Sequence, residues 1–513
     1  MSDRNNSRSG SSEGYRPSRV ENHTRMGRRP AKTGADRFGV VSMVILMACS
    51  IWLTANLMTL KMLPTKYFLL AVILLFVLNA AHVVVQIPLR RKKTSKVVCG
   101  VIALILSGAM VYGIVASTSL QSALKKISQS PQETNTIDVI VLKGSSAQTL
   151  ADLKGQTFGV TKSMDANTLG AMKAKMSEEI GDVSTSSYQS ISRLADGLYQ
   201  GSVNAIIIND ALLSSLSEME EYSTFAQDTK IIYQYGAPVE KQVSATHEAI
   251  DVTKQPFIVY LSGSDSESGD INATGRSDVN ILAVVNPSSH QIMLINTPRD
   301  YYVPMTVSNG VRDKLTHAGV YGIDCSMGTL AMLYGIDIPY YIRINFAGFK
   351  DIVNALGGVT VRSDYTFAAQ GYQFTEGDNA VMGDAALAFV RERHSFAAGD
   401  NQRGRDQMAM IEAILKKAMS PAILTNYQSL LNAVSGSFTT NFSYNEMADF
   451  VQMQLSTGGG WNITSYAVTG TGDMTTTYTY PDENLYVMRP DTDTVSQAQT
   501  LIKQVMNGEV PQT

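Results

Sequence analysis

Four short runs in the second half of the chain bring acids and arginines to the ends of predicted strands. Gly263-Ser264-Asp265 follows one strand and Gly275-Arg276-Ser277-Asp278 precedes another. Pro298-Arg299-Asp300 follows a hairpin, and Arg391-Glu392-Arg393 is trailed by Arg403-Gly404-Arg405-Asp406-Gln407. Asp265 and Asp278 flank one loop whose ends are adjacent strands, so both carboxylates can converge. Two carboxylates with open positions suit Mg²⁺ or Mn²⁺ held jointly with substrate phosphates. Arg391 and Arg393, spaced i, i+2, share a face in an extended segment. Their guanidinium forks match phosphate oxygens. Arg403 and Gln407, spaced i, i+4, share a face of the following helix. Together these groups describe a cleft for a polyanion such as a pyrophosphate. Ordinary Arg–Asp surface pairs remain the alternative for any single member. The loop with Asp265, Glu267 and Asp270 also fits a plain solvated loop or an adventitious Ca²⁺ site.

These runs sit in a segment, 251–513, that reads as one α/β domain. Phe257 to Leu261 is a strand. Asn280–Val285 and Gln291–Ile295 form a hairpin across the turn Asn286-Pro287-Ser288-Ser289. Helices are predicted near 323–334, 346–356, 382–390 and 403–419. Ser443 to Glu446 fits a capping box opening another helix. A strand near 462–468 and a last helix near 494–506 follow. Upstream, 137–250 alternates apolar runs at 137–142, 157–160 and 205–208 with helical patterns near 166–179 and 188–199. That alternation predicts a small α/β accessory domain with a largely parallel sheet. It weakly resembles one lobe of a solute-binding protein and shows no catalytic constellation. Residues 119–136 read as a stalk.

Ahead of these domains lie three apolar stretches, 38–58, 67–89 and 97–118, each free of Asp, Glu, Lys and Arg, with His82 and Gln86 near the end of the second. A helix needs about 20 residues to cross the hydrocarbon, so 38–118 is expected to hold three transmembrane helices. Residues 1–37 carry nine basic and four acidic side chains and too little apolar surface to fold. Arg25, Arg28, Arg29, Lys32 and Arg37 precede the first span, and Arg90, Arg91, Lys92, Lys93 and Lys96 lie between the second and third. Both clusters are expected on the cytoplasmic side. The chain is then a multi-pass membrane protein with a cytoplasmic N-terminus and a large extracellular C-terminal portion.

Composition narrows the function further. The 513 residues carry 42 Lys and Arg against 45 Asp and Glu, a net charge of -3, which excludes a uniformly basic nucleic-acid binder. Three cysteines exclude a disulfide scaffold and a Cys-rich zinc module. Cys325 reads as a small buried residue. No Walker A loop, H-E-x-x-H, G-x-S-x-G or strand-linked G-x-G-x-x-G is present. His247, His290, His317 and His394 lack metal-ligand spacing. His317 reads as structural, with a place near an acceptor as the alternative.

Taken together, the strings Gly275 to Leu282, Pro298 to Val303, Asp313 to Ala318, Gly357 to Val359, Gly383 to Arg393 and Arg403 to Gln407 resemble the LytR-CpsA-Psr family of envelope proteins. The likeness is strong over 251–425. Three spans plus an accessory domain look like the subgroup encoded with streptococcal-type capsule or exopolysaccharide genes. One departure is Thr297, where an apolar residue is expected before Pro298. The resemblance implies a mixed central sheet flanked by helices and an extracytoplasmic phosphotransferase. Such an enzyme moves a glycan from a polyprenyl-pyrophosphate carrier to peptidoglycan, with associated pyrophosphatase activity. Carried over by position, Asp265 and Asp278 would hold the metal. Arg276, Arg299, Arg391, Arg393 and Arg403 would bind the pyrophosphate, Gln407 would support them, and Asp400 would orient Arg403. Arg299, Arg391, Arg393 and Asp278 would be the catalytic set. The partners implied are the lipid-linked glycan, the peptidoglycan acceptor, the bilayer, and other polysaccharide export and assembly proteins. Two other classes stay open: a membrane regulator of polysaccharide genes acting through the basic tail, and a module that binds lipid-linked glycan without turnover.

Overall fold

The computed structural model describes residues 33–86, 92–128, 132–217, 219–239, 250–264, 270–419, 433 and 436–511. Most of the basic tail, Arg90 and Arg91, and Asp265 with Glu267 lie outside the described residues. The three apolar stretches form helices α1 (Gly34–Leu60), α2 (Thr65–Gln86) and α3 (Lys93–Ile127), each long and apolar enough to cross a membrane. Phe76 and Ile105 remain 73% and 67% exposed, an apolar surface of the kind that suits lipid better than water.

The chain divides into two compact units, one of Met1–Ser50 with Leu74–Ala109, the other of Ile51–Ile73 with Met110–Thr513. Within the first, polar side chains join apolar helices, as is common between spans. Ser42 Oγ meets His82 Nε2 at 3.1 Å, and Lys96 Nζ donates to Asp36 at 2.6 Å.

Among its described residues the second unit holds two large sheets and several two-stranded ones. One has the order β3-β2-β4-β1-β5, from β1 (Thr134–Leu142), β2 (Thr157–Thr161), β3 (Ser184–Tyr188), β4 (Ala205–Asn209) and β5 (Thr229–Pro238). Helices α4 (Ala166–Ile180), α5 (Ile191–Tyr199), α6 (Leu213–Ser217) and α7 (Phe225–Asp228) connect them. β2 runs parallel to β3 and β4, whereas β1 is antiparallel to both β4 and β5, so the sheet is mixed rather than largely parallel. The cause lies in the connections. A parallel return needs a crossover, usually a helix. The β1–β2 link offers only the short turn Leu150–Leu153, so β2 comes back in the opposite sense. Ala205 to Ile208 are all buried, with Ile207 in the core on one face and Ile206 and Ile208 in the core on the other.

The larger sheet is built on β6 (Phe257–Ser264), β7 (Ser277–Asn286) and β8 (Gln291–Asn296), antiparallel neighbours. Two short strands, β9 (Tyr302–Pro304) and β10 (Arg312–Lys314), pair beyond it. Helices α8 (Leu315–Ala318) and α9 (Ile323–Tyr334) then lead to β11 (Tyr340–Asn345), parallel to β6. Strands Phe438–Thr440 and Asn462–Ala467 complete the edges, antiparallel to β11 and parallel to β8. The expected mixed sheet flanked by helices is therefore present. Between β11 and the Phe438 edge the chain builds α10 (Phe346–Ala355), two small hairpins, α11 (Gly383–Arg391) and α12 (Asp400–Ala418), with a core of their own around Phe367, Phe374 and Phe389.

Ser443 and Glu446 form the capping box of the helix Tyr444–Thr457, and Gly458, at φ 61°, closes it. Tyr444 donates to Leu60 O at 2.8 Å and Gln452 to Leu63 O at 3.1 Å, tying this helix to the α1–α2 loop. The two sheets are also tied to each other. Thr134 N donates to Asn272 O at 3.0 Å, Thr274 N to Thr134 O at 2.8 Å, and Glu133 pairs with buried Arg343 of β11.

Candidate active site

The site grows from the open ends of β6 and β7, where Ser264 pairs with Ser277. Side chains alternate along a strand. Ser277 Oγ turns to Tyr260 OH and Ser262 Oγ, 2.7 Å from each. Its neighbours Arg276 and Asp278 both line a cavity of about 920 Å³. Beyond β8 the chain bends through Thr297, whose hydroxyl meets Tyr334 OH at 2.7 Å, so the polar residue in a buried position is satisfied. Arg299 follows, 6% exposed, and its Nη1 reaches both oxygens of Asp278 at 3.0 and 2.9 Å. Thr316 Oγ1 adds a third hydrogen bond to Asp278 at 3.0 Å. Asp300, beside Arg299, is held by Lys314 Nζ at 3.1 Å.

α12 brings Arg403 and Gln407 to the same cavity. Gly404 makes this approach feasible, because a Cβ there would run into the Asn296 amide at the end of β8. Asp400 pairs with Arg403, as the motif implied. Arg391 closes α11, and Glu392 is already extended, so Arg391 and Arg393 both line the cavity although only part of the segment is strand-like. The Arg391 guanidinium lies 4.5 Å over the Phe346 ring. Gln407 Nε2 donates to Val390 O at 3.3 Å and so joins α12 to α11 behind the arginines.

Electrostatics follow from this crowding. Burial pushes the Asp278 carboxyl up, but Arg299, Arg276 and Arg403 outweigh it and hold it at about 2. Asp400 moves the other way, raised by burial with Asp300 and Asp278 adding to it, while Arg403 and Arg299 pull against the rise. An ionised, half-buried Asp278 is a hard oxygen ligand of the kind Mg²⁺ takes. Both of its oxygens already accept from Arg299, and no group of three or more His, Cys, Asp or Glu among the described residues could hold a metal ion. Asp278 thus fits one position of a cation site, and the expected second ligand, Asp265, is not among the described residues.

The rest of the cavity is apolar; the resemblance implies an apolar groove in this domain, but the sequence did not identify the residues that line it. Leu261, Val279, Ile342 and Ile344 come from one face of β6, β7 and β11. Phe349 of α10 and Met410, Ile411 and Ile414 of α12 close over them. The traces were there: Ile342-Arg343-Ile344 alternates, and Gln407, Met410, Ile411 and Ile414 repeat at helical spacing. Asp210, Ala211, Leu213, Ser217 and Ala226 of the accessory domain also line the cavity. No chemical motif marks them.

Residues 219–501 match the model of the LytR_cpsA_psr family, starting inside the segment read from sequence as accessory domain. The chain is similar to the polyisoprenyl-teichoic acid–peptidoglycan teichoic acid transferase TagU of Enterococcus faecalis, 33% identical over 279 residues, covering 52% of this chain and 89% of that protein. The TagU of Bacillus cereus is 34% identical over 231 residues, covering 44% and 75%. Among solved structures, TagU of B. subtilis is 25% identical with a TM-score of 0.39, covering 51% of this chain and 99% of that one. An Enterococcus faecalis protein described as a transcriptional regulator is 27% identical with a TM-score of 0.42, covering 52% and 92%. On the family match and the length of the TagU relatives it spans, the chain belongs to the LytR_cpsA_psr family.

Proposed function

We propose that this chain is a membrane-anchored phosphotransferase that moves a glycan from a polyprenyl-pyrophosphate carrier onto peptidoglycan outside the cytoplasm. One observation carries the reading: a single cavity joins an apolar end to a cluster of guanidiniums around an ionised aspartate. That combination matches an amphiphile with a long hydrocarbon tail and a doubly charged head. The curated relatives are named for transfer of polyisoprenyl-linked teichoic acid to peptidoglycan. For this chain, three spans and an accessory domain favour a capsular polysaccharide or exopolysaccharide as the glycan.

The prenyl chain lies along Leu261, Ile342, Phe349 and Ile414, and the pyrophosphate meets Arg276, Arg299, Arg391, Arg393 and Arg403. Phosphoryl transfer depends more on position and charge than on covalent help from the protein. An acceptor hydroxyl oxygen attacks the phosphorus that carries the glycan. The P–O bond to the polyprenyl phosphate breaks, and that phosphate leaves with its charge balanced by the arginines. With water as acceptor the same step is a pyrophosphatase reaction. A divalent cation bound by Asp278, Asp265 and phosphate oxygens would add further neutralisation.

The large domain lies outside. Lys93, Lys96 and Arg37 mark the opposite side by charge. The Tyr444 and Gln452 bonds to the α1–α2 loop agree with a loop on the side of that domain.

Full-length protein in detergent, given a polyprenyl-pyrophosphate-linked saccharide and peptidoglycan fragments, should release polyprenyl phosphate and form a saccharide–peptidoglycan adduct seen by mass spectrometry. Tight binding of the donor with no turnover would instead establish a carrier module.

A further inference from the structure

A second cavity, of about 690 Å³, opens between the accessory domain and the catalytic domain. His317 of α8 lines it, although only 2% of the residue is exposed. Its Nδ1 lies 2.7 Å from Asp313 Oδ1. Asp313 also accepts from Lys314 N at 2.7 Å, from Thr479 N at 2.8 Å and from Thr479 Oγ1 at 2.5 Å. These donors favour the ionised Asp313 carboxylate, so in the neutral imidazole Nδ1 carries the proton and Nε2 offers the lone pair. Among the described residues no hydrogen bond to Nε2 is present. The Tyr480 ring, 5.5 Å away, helps fix the imidazole.

This cavity stands one side chain away from the arginine cluster. Thr316, next to His317, donates to Asp278 at 3.0 Å. Lys314, also lining the second cavity, pairs with Asp300, which is 3.7 Å from Arg299 Nε. Ser215 of α6 lines it too, and its Oγ takes Arg276 Nη1 at 3.5 Å. The two cavities flank opposite faces of the sheet. Leu315 of α8 packs with Tyr260 and Leu282, whereas Leu261, Val279 and Ile342 belong to the core on the other face. An in-line displacement needs its nucleophile opposite the leaving group. If the lipid phosphate leaves toward the apolar end, the nucleophile arrives from the α8 side. There the wall carries Glu220, Glu221, Asp482 and Glu483 for paired hydroxyls and exposed Tyr486 for a sugar face.

We propose that the second cavity is the acceptor-saccharide subsite and that His317, oriented by Asp313, is the base for the attacking hydroxyl. This rests on the transferase reading above. The hydroxyl O–H bond breaks and its proton moves to Nε2. The oxygen forms a bond to the glycan-bearing phosphorus as the bond to polyprenyl phosphate breaks. The proton then passes from Nε2 to water.

The test uses the full chain with a polyprenyl-pyrophosphate-linked saccharide as donor and a peptidoglycan disaccharide as acceptor. His317→Gln should lower kcat for transfer by roughly 100-fold or more, with donor Kd unchanged. The double variant Glu220→Gln/Glu221→Gln, changed only at exposed positions, should raise acceptor KM several-fold and leave donor Kd and the melting temperature alone. Wild-type kcat in His317→Gln would overturn the base. An unchanged acceptor KM in the double variant, or a weakened donor Kd instead, would overturn the acceptor subsite, the latter in favour of a donor-sugar site. If His317→Gln does not fold, the double variant still decides the subsite, and a wild-type protein that turns over no donor fails the transferase reading itself.

Discussion

Asp138 and Asp278 are two desolvated aspartates, one fully buried and one half-buried at a strand end, in the two large sheets of this unit, and their surroundings set them apart. Asp138 sits in the middle of β1, 0% exposed, with Gln234 Nε2 donating to it at 2.9 Å. Burial pushes its carboxyl up to about 7, Gln234 pulls part of the way back, and the charge of Asp210 adds to the rise. Asp278, at the start of β7, is surrounded by three guanidiniums and held at about 2. The same desolvation acts on both. Cationic neighbours decide which acid stays ionised, and among the described residues the larger sheet gathers them around Asp278. The accessory sheet provides a wall and a scaffold, whereas the catalytic sheet provides charge at its strand ends.

The most severe way to break this contrast is to remove the cation. Arg299→Ala takes the closest cation from half-buried Asp278, with Arg276 and Arg403 still nearby, at a cost of about 1–3 kcal/mol. Transfer should fall at least roughly 100-fold, as when one charge-stabilising donor is lost. Near-normal kcat/KM in this variant would mean that Arg299 only pairs with Asp278.

Next comes pH. Asp138 binds its proton more tightly in the folded state than an unfolded aspartate of pKa about 3.9. Between about pH 4 and pH 7 the native state therefore holds more protons, and stability declines as pH rises through that window. The total is at most about 4 kcal/mol at about 1.4 kcal/mol per unit. Melting temperatures of the full chain should drop from pH 5 to pH 7, and Asp138→Asn should flatten the slope. Asp278 contributes with the opposite sign: its share is present above about pH 4 and is lost as pH falls toward 2. An unaltered slope in Asp138→Asn would place the pH sensitivity elsewhere.

A smaller effect sharpens the division inside the donor cavity. Leu261→Trp adds bulk to the apolar end and should weaken binding of a long-chain polyprenyl pyrophosphate by about 1–3 kcal/mol, leaving a short-chain analogue unaffected. Equal losses for both would show that the tail lies elsewhere. At the bottom of the scale, Lys416→Ala removes an exposed pair with Glu412 and should shift the melting point by no more than an ion pair worth about 1 kcal/mol or less.

The sequence exposed much of the charged half of this comparison and little of the apolar half. Arginines at strand ends are local features, and Arg276, Arg299, Arg391, Arg393 and Arg403 all line one cavity with Asp278. Long helices and the Ser443–Glu446 box were equally readable, because caps and 3.6-residue periods are written in neighbouring residues. β1 was expected to run with its neighbours, since an apolar run encodes burial and not direction. The apolar lining draws on β6, β7, β11, α10 and α12, and each contributes residues that look like ordinary core. Asp138 passed unremarked within an apolar strand, because its meaning depends on the distant Gln234 and Asp210.

The most direct measurement is a density map of the full chain bound to a polyprenyl pyrophosphate. The phosphates should lie within hydrogen-bond reach of Arg276, Arg299 and Arg403, with the hydrocarbon running between Ile342 and Ile414. A tail outside that channel, or phosphates away from the guanidiniums, would contradict the donor site on which the transferase proposal stands.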